Sequence, residues 1–196
     1  MSGDRRVSPD GARWWVGQLL VATPALEDPN FRRTVILLLD HDEDGALGVA
    51  LDRPLEPLIE DVLPGWEGLV GPPGRLFAGG PVSKGAALGV AVLDPATPSA
   101  PLGWRRMFGD TGLVDLDTPV PVVADAIVAM RVFAGYSGWG PGQLEVEVAD
   151  GSWLLLPAEP DDLISADPSG LWRRVWRRQG GWLGLLADFP EDPAHN

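Results

Sequence analysis

Two neighbouring stretches carry the side chains best suited to chemistry. Asp40-His41-Asp42-Glu43-Asp44 sets four carboxylates around one imidazole. An oxygen-rich run of this kind can offer ligands to a hard cation. It lacks EF-hand spacing, however, and charges at a hairpin tip are normally solvated, so no metal site is assigned to it. Asp28, Asn30, Arg33, Asp52 and Arg53 flank the same hairpin and could line one polar cleft. Joined by His41 as proton carrier, Asp28, Arg33 and Asp52 would suit acid–base hydrolysis. A buried arginine–carboxylate network that merely fixes the loops accounts for the same residues. The other histidine, His195, is the penultimate residue, and the chain has no cysteine. Thiolate metal sites, disulfides and cysteine nucleophiles are therefore excluded. No Gly-x-Ser-x-Gly nucleophile elbow occurs either, and no catalytic residue is assigned.

The glycine-rich segments fail as phosphate loops. Gly79-Gly80-Pro81-Val82-Ser83-Lys84-Gly85 does not have the spacing of a P-loop. Gly138-Trp139-Gly140-Pro141-Gly142 follows an expected helix rather than preceding one, so it is no dinucleotide fingerprint. Both read as tight turns, and no cofactor is expected. One basic cluster remains, Leu171-Trp172-Arg173-Arg174-Val175-Trp176-Arg177-Arg178. On a helix its leucine, valine and tryptophans form one face and its four arginines the other. The arginine face could meet nucleic acid, an anionic membrane or a protein partner. It could equally lie against acidic residues of the same domain, such as Glu159, Asp161 and Asp162.

The elements that must position these groups follow from composition and pattern. With 25 Gly and 20 Pro in 196 residues, a long-helix bundle is excluded. Nine Trp and a 45% hydrophobic fraction provide a core and argue against disorder. A net charge of −13 disfavours nucleic acid over most of the surface. Apolar runs are far shorter than the ~18 residues of a membrane span. With no secretory signal pattern at the N-terminus, a cytoplasmic protein is expected.

Strands are expected at 17–22, 34–40, 46–51, 75–78, 87–93, around 113–116 and at 153–156. Asp44-Gly45 closes a hairpin between the second and third. The spacing of Leu55, Leu58, Ile59 and Val62 predicts a helix over 54–63. The run Val120–Phe133, with Thr118 to cap it and Gly135 to stop it, predicts a long buried helix. Gly135–Gly142 reads as a loop, and the alternation of Leu144, Val146 and Val148 predicts a half-solvated strand over 143–148. A last helix is expected over about 167–179. The pattern describes one α+β domain over 14–187, with a flexible N-terminus at 1–13 and an acidic tail at 188–196.

Three ordered segments carry a family resemblance. The first is Gly17-Gln18-Leu19-Leu20-Val21-Ala22 followed by Asp28-Pro29-Asn30-Phe31-Arg32-Arg33-Thr34-Val35. The second is His41 through Gly45-Ala46-Leu47-Gly48, then Arg53-Pro54 and Gly79-Gly80-Pro81-Val82. The third is Gly135-Tyr136-Ser137-Gly138-Trp139-Gly140-Pro141-Gly142-Gln143-Leu144-Glu145, then Trp153. In this order they resemble the YqgE/AlgH family of small bacterial proteins over roughly residues 15–183. The resemblance implies a cytosolic bacterial protein with a mixed, mostly antiparallel sheet curled into a partial barrel and a few helices packed on it. One branch of that family bears the name of a transcriptional regulator. No reaction, cofactor or catalytic set comes with the resemblance. Asp52 stands where the family's Asn-Arg-Pro motif commonly has Asn.

These observations lead to a non-enzymatic binding or regulatory protein, its partner a protein or a small ligand. The candidate contact residues are Asp28, Asn30, Arg33, His41, Arg53, Tyr136, Trp139, Gln143 and Glu145. A hydrolase built on the polar cluster near the first hairpin, and direct nucleic-acid binding by the Arg173–Arg178 face, are the alternatives.

Overall fold

The structure, a computed structural model, describes residues 14–190. The N-terminal segment 1–13 and residues 191–196 of the acidic tail, His195 included, lie outside the described residues. Ten strands form the framework: β1 (Gln18–Ala22), β2 (Val35–Asp42), β3 (Gly45–Ala50), β4 (Pro54–Leu58), β5 (Arg75–Ala78), β6 (Val82–Leu93), β7 (Trp104–Phe108), β8 (Thr111–Val114), β9 (Ile127–Trp139) and β10 (Trp153–Pro157). The short helices between and after them are α1 (Ile59–Val62), α2 (Val120–Val123), α3 (Gln143–Ala149), α4 (Pro160–Leu163), α5 (Leu171–Arg177) and α6 (Gly181–Gly184).

The strands are ordered β10-β1-β2-β3-β9-β6-β8-β7, with β5 also on β9 and β4 on β5. Only the β5–β9 pairing is parallel among these strands. The sheet curls into a half-barrel with the helices packed on it, in a single α+β domain. Its closure can be read at Gly17, just before β1. A Cβ there would sit 2.8 Å from the Phe108 ring at the end of β7, at a φ of +79°, so the chain entering β1 can approach β7 this closely only as a glycine.

Alternation along the first strands feeds two cores. Leu19, Val21, Val35, Leu37 and Leu39 join Phe77, Phe133, Trp172, Val175 and Trp176 on one face. Leu20, Ala22, Ile36 and Leu38 join Trp139, Leu144 and Trp153 on the other. A third cluster, with Trp66, Met130 and Val132, lies under α1 and α2. The register of β2 on β3 slips between Leu38 and Asp40. That bulge adds one residue and reverses the alternation beyond it. His41 is thereby turned towards α3.

Four expected elements are corrected. The long helix over 120–133 is one turn of helix, a 3₁₀ turn at Ala124–Ala126, and the first half of β9. A continuously apolar run cannot be assigned by period alone. Here Ile127, Val128 and Val132 favour a strand, and both edges of β9 are paired, to β6 and to β3 and β5. The loop over 135–142 is mostly the continuation of β9 to Trp139. The strand over 143–148 is helix α3, in which Gln143 and Glu147 are hydrogen-bonded one turn apart at 2.9 Å. The helix over 54–63 is strand β4 followed by the single turn α1. Pro57 suits an unpaired strand edge better than a helix interior.

Candidate functional site: a wired aromatic corner and an arginine-walled cleft

The third motif builds a corner between the end of β9, α3 and β10. The side chain of Glu147 on α3 accepts hydrogen bonds from the indole N–H groups of Trp139 and Trp153, both at 2.9 Å. Its other oxygen accepts the Gln143 amide N–H, and Gln143 Oε1 accepts the Gly140 backbone N–H at 3.1 Å. Phe31, from the Asp28–Arg33 turn, stacks on Trp139 at 6.1 Å and meets Trp153 edge-on at 5.6 Å. Trp139 and Gln143 are thus both held by Glu147 and committed to the fold. Tyr136, half-buried in β9, packs on the main core.

His41 is also committed. It is 2% exposed. Its Nδ1 accepts the Trp15 backbone N–H at 3.1 Å, and Nε2 lies 2.9 Å from Glu145 Oε1. An accepting Nδ1 places the ring proton on Nε2, which therefore donates to Glu145. The rings of Trp14 and Trp15 cover the imidazole, each with its centroid 5.0 Å away. This arrangement pins the chain entering β1 to α3. Val35 and His41 lie at opposite ends of β2, about 20 Å apart at the usual rise per residue. A hydrolytic cluster joining Arg33 and Asp52 to His41 is therefore split along the strand. Among the described residues no group of three or more acidic or histidine side chains is placed to hold a metal ion.

At the other end of β2 the polar groups do converge. Asp28 caps its own turn by accepting the Asn30 N–H at 2.7 Å, and Asn30 is exposed. The chain then passes through Arg32 and Arg33, the latter at φ +53°. Arg53, just past β3, donates from Nε to Thr34 Oγ1 at 2.7 Å and from its terminal nitrogen to the Arg32 carbonyl at 3.2 Å. The Arg33 guanidinium lies 4.7 Å over the Trp172 ring and reaches the Phe189 carbonyl. Trp172 is fixed in turn by its indole bond to the Ala22 carbonyl at 2.8 Å. Arg32, Arg33, Asp52, Arg53, Ser169, Trp172 and Arg173 line a cavity of about 220 Å³. A second cavity of about 290 Å³ shares Arg32 and Arg33 and extends to Pro24, Glu27 and Phe189. Asp52 forms part of the first cavity. Its Oδ1 is shut off from solvent with no hydrogen-bond partner. Burial lifts its carboxyl from 3.8 to about 7, against the pull of Arg53 and of the Val35 and Asp52 backbone amides.

A family model described as AlgH-like matches residues 19–184. The chain belongs to the AlgH-like family. A UPF0301 protein of Streptomyces avermitilis is 54% identical over 182 residues, spanning 92% of this chain and 94% of the relative. A UPF0301 protein of Mycobacterium tuberculosis is 43% identical over 191 residues, spanning 97% and 95%. Among solved structures, a crystal structure of a Corynebacterium diphtheriae protein superposes with a TM-score of 0.83 at 30% identity, covering 96% of this chain and 95% of that one. The solution structure of AlgH from Pseudomonas aeruginosa gives 0.66 at 26% identity, covering 96% and 99%. No helix among the described residues is long and apolar enough to cross a membrane.

In this AlgH-like chain the basic helix divides its arginines. Arg178 holds the buried Asp162 by two bonds of 2.8 and 3.0 Å and approaches Glu159 at 3.3 Å. Arg174 donates to Ser165 Oγ at 2.6 Å, and Arg177 pairs with Asp188 at 2.8 Å. Arg173 faces the cleft while also donating to the Ala187 carbonyl at 3.1 Å. Of the candidate contact residues, only Arg33 and Arg53 line the cleft. Arg32, Asp52, Ser169, Trp172 and Arg173 complete it. Arg32 and Trp172 carried sequence signals for a turn and for a helix face, but nothing local said that the two would meet.

Proposed function

We propose that the protein is a non-enzymatic, cytoplasmic binding protein that holds a negatively charged small ligand in the Arg32/Arg33/Arg53/Arg173 cleft. The observation that carries this reading is that four arginines from three separate parts of the chain line one concave space. Guanidinium groups arranged in this way match planar and tetrahedral oxyanions. Trp172 supplies an apolar wall, and Ser169 a hydroxyl. The third motif supports the cleft indirectly. It locks the aromatic corner, and Phe31 carries that rigidity into the Arg32–Arg33 turn. A regulatory role, including the transcription-related one in the name of one family branch, would follow from ligand occupancy changing the surface around α5. Native mass spectrometry of the purified full chain tests the reading. A small-molecule adduct that is retained by the wild type, lost in Arg53→Ala, and recovered chemically unchanged supports it. A chain with no adduct from any extract, or an adduct indifferent to Arg53 and Arg173, overturns it.

A further inference from the structure

Resting on that reading of the cleft, we infer that its ligand is a phosphoryl group, selected over other oxyanions because Asp52 forms one side of the cleft and needs a proton to share. Four arginines alone would take sulfate, phosphate or carboxylate with little distinction. Asp52 changes this. Asp52 is one of the residues that line the cavity and is only partly buried as a residue, while its Oδ1 has no hydrogen-bond partner. An ionised oxyanion placed beside an ionised carboxylate meets a like charge across a water-poor gap. The contact becomes attractive only when one proton lies between them, as O–H···O.

Phosphate can supply that proton. Inorganic phosphate keeps one through the neutral range, and a phosphate monoester loses its own only around pH 6. Sulfate carries none at neutral pH. Selection thus depends on which partner brings the proton. At high pH only a ligand with its own proton fits, whereas at low pH a protonated Asp52 can donate to any oxyanion. The charged groups that line the cavity with Asp52 are Arg53 of its own segment, Arg32 and Arg33 of the preceding turn, and Arg173 from α5, and of these Arg53 is the one that acts on its carboxyl. Asp52 is burdened by burial more than it is relieved by Arg53, which places its proton exchange within the accessible pH range. The adjoining cavity, with Pro24 and Phe189 in its wall, has room for an organic body attached to the phosphoryl group.

Calorimetric titration of the full chain with inorganic phosphate, phenyl phosphate and sulfate, in buffer free of other oxyanions, tests this. At pH 8.5 inorganic phosphate should bind at least tenfold more tightly than sulfate, and the gap should narrow at pH 5.5. Asp52→Asn offers an amide N–H in place of the carboxylate. It should therefore bind sulfate and phosphate within about threefold of each other at both pH values. Arg173→Gln should weaken both anions and leave their ratio unchanged. Phenyl phosphate binding more tightly than inorganic phosphate at pH 5.5 identifies a phosphate carried on an organic body, and the reverse order identifies the free ion. Equal affinities for phosphate and sulfate in the wild type at pH 8.5, or a ratio untouched by Asp52→Asn, overturns the inference while leaving the cleft reading intact. If no oxyanion binds but an adduct still depends on Arg53, the ligand class is wrong and the cleft reading survives. If cleft substitutions alter neither adduct nor anion binding, both fail.

Discussion

Replacing Asp52 by asparagine should make the protein more stable, and increasingly so as pH rises. In the unfolded chain this carboxyl titrates near 3.8, and in the native state near 7, with burial as the main cause. Below 3.8 both states hold the proton and the group makes no difference to stability. Between 3.8 and about 7 only the native state holds it, so stability falls as pH increases. Above about 7 the whole penalty is present. At about 1.4 kcal/mol per pH unit that penalty is roughly 4 kcal/mol, an upper figure because local relaxation and entering water reduce it. Asparagine has almost the same shape and no charge to desolvate. For a domain of this size each kcal/mol moves Tm by about 2–4 °C, so the Asp52→Asn protein should melt up to about 8–16 °C higher than the wild type at pH 8.5. At pH 4 the two should nearly coincide. Thermal or urea unfolding followed by tryptophan fluorescence across that range measures the difference, in buffers without phosphate or sulfate so that ligand binding adds nothing. A difference that stays flat with pH, or an Asp52→Asn protein less stable than the wild type at pH 8.5, would refute the claim that Asp52 is buried against its charge.

Three further outcomes follow from the same contacts. Glu147→Ala strips the acceptor from the Trp139 and Trp153 indoles and from Gln143. It should cost about 2–4 kcal/mol in urea unfolding and shift tryptophan emission. Arg178→Ala leaves Asp162, only 3% exposed, without its cation and should cost about 3 kcal/mol. Asp162→Asn in the same background should recover part of the loss. Gly45→Ala would put a Cβ 2.1 Å from the Trp139 carbonyl oxygen at a φ of +133°, disrupting the β3–β9 junction. Gly109→Ala, at φ +49° in open space, should cost only about 1 kcal/mol. Comparing their melting temperatures separates crowding from backbone strain.

Much of the framework was legible because local chemistry and global packing agree there. The β2–β3 hairpin combines a β-branched buried run with an Asp-Gly turn signal, and the structure contains it with the turn at Glu43-Asp44 and with Gly45, already in β3, paired to Asp42. The reading failed where the period was ambiguous. β9 is buried without a break from residue 129 to residue 133, so its apolar residues do not alternate there. Arg131, inside that run, donates to the Pro72 and Ser165 carbonyls at 2.8 and 2.9 Å and lies over Phe77 at 4.1 Å, partners no sequence window contains. In α3 the acidic and apolar residues alternate, yet Val146 is 59% exposed, so the alternation did not mark a buried face. For the site, the sequence pointed to Arg33, Asp52 and Arg53 because they flank one hairpin. It placed His41 with them because the residues are close in number. An extended strand carries neighbours apart at over 3 Å per residue, and the two ends of β2 acquired separate roles.

The net charge of −13 and an anion-binding cleft are compatible because electrostatics in salt water is local. At physiological ionic strength charges are screened beyond about 8 Å. A single phosphoryl group inside a cavity of about 220 Å³ is governed by the guanidinium groups around it. A nucleic acid would have to extend well past that distance and meet the acidic surface. It would also find Arg174, Arg177 and Arg178 already bonded to Ser165, Asp188 and Asp162. The same arginine-rich helix that resembled a nucleic-acid surface in one dimension therefore serves mostly to dock α5. Arg173 and Trp172 are the residues it contributes to the proposed anion cleft.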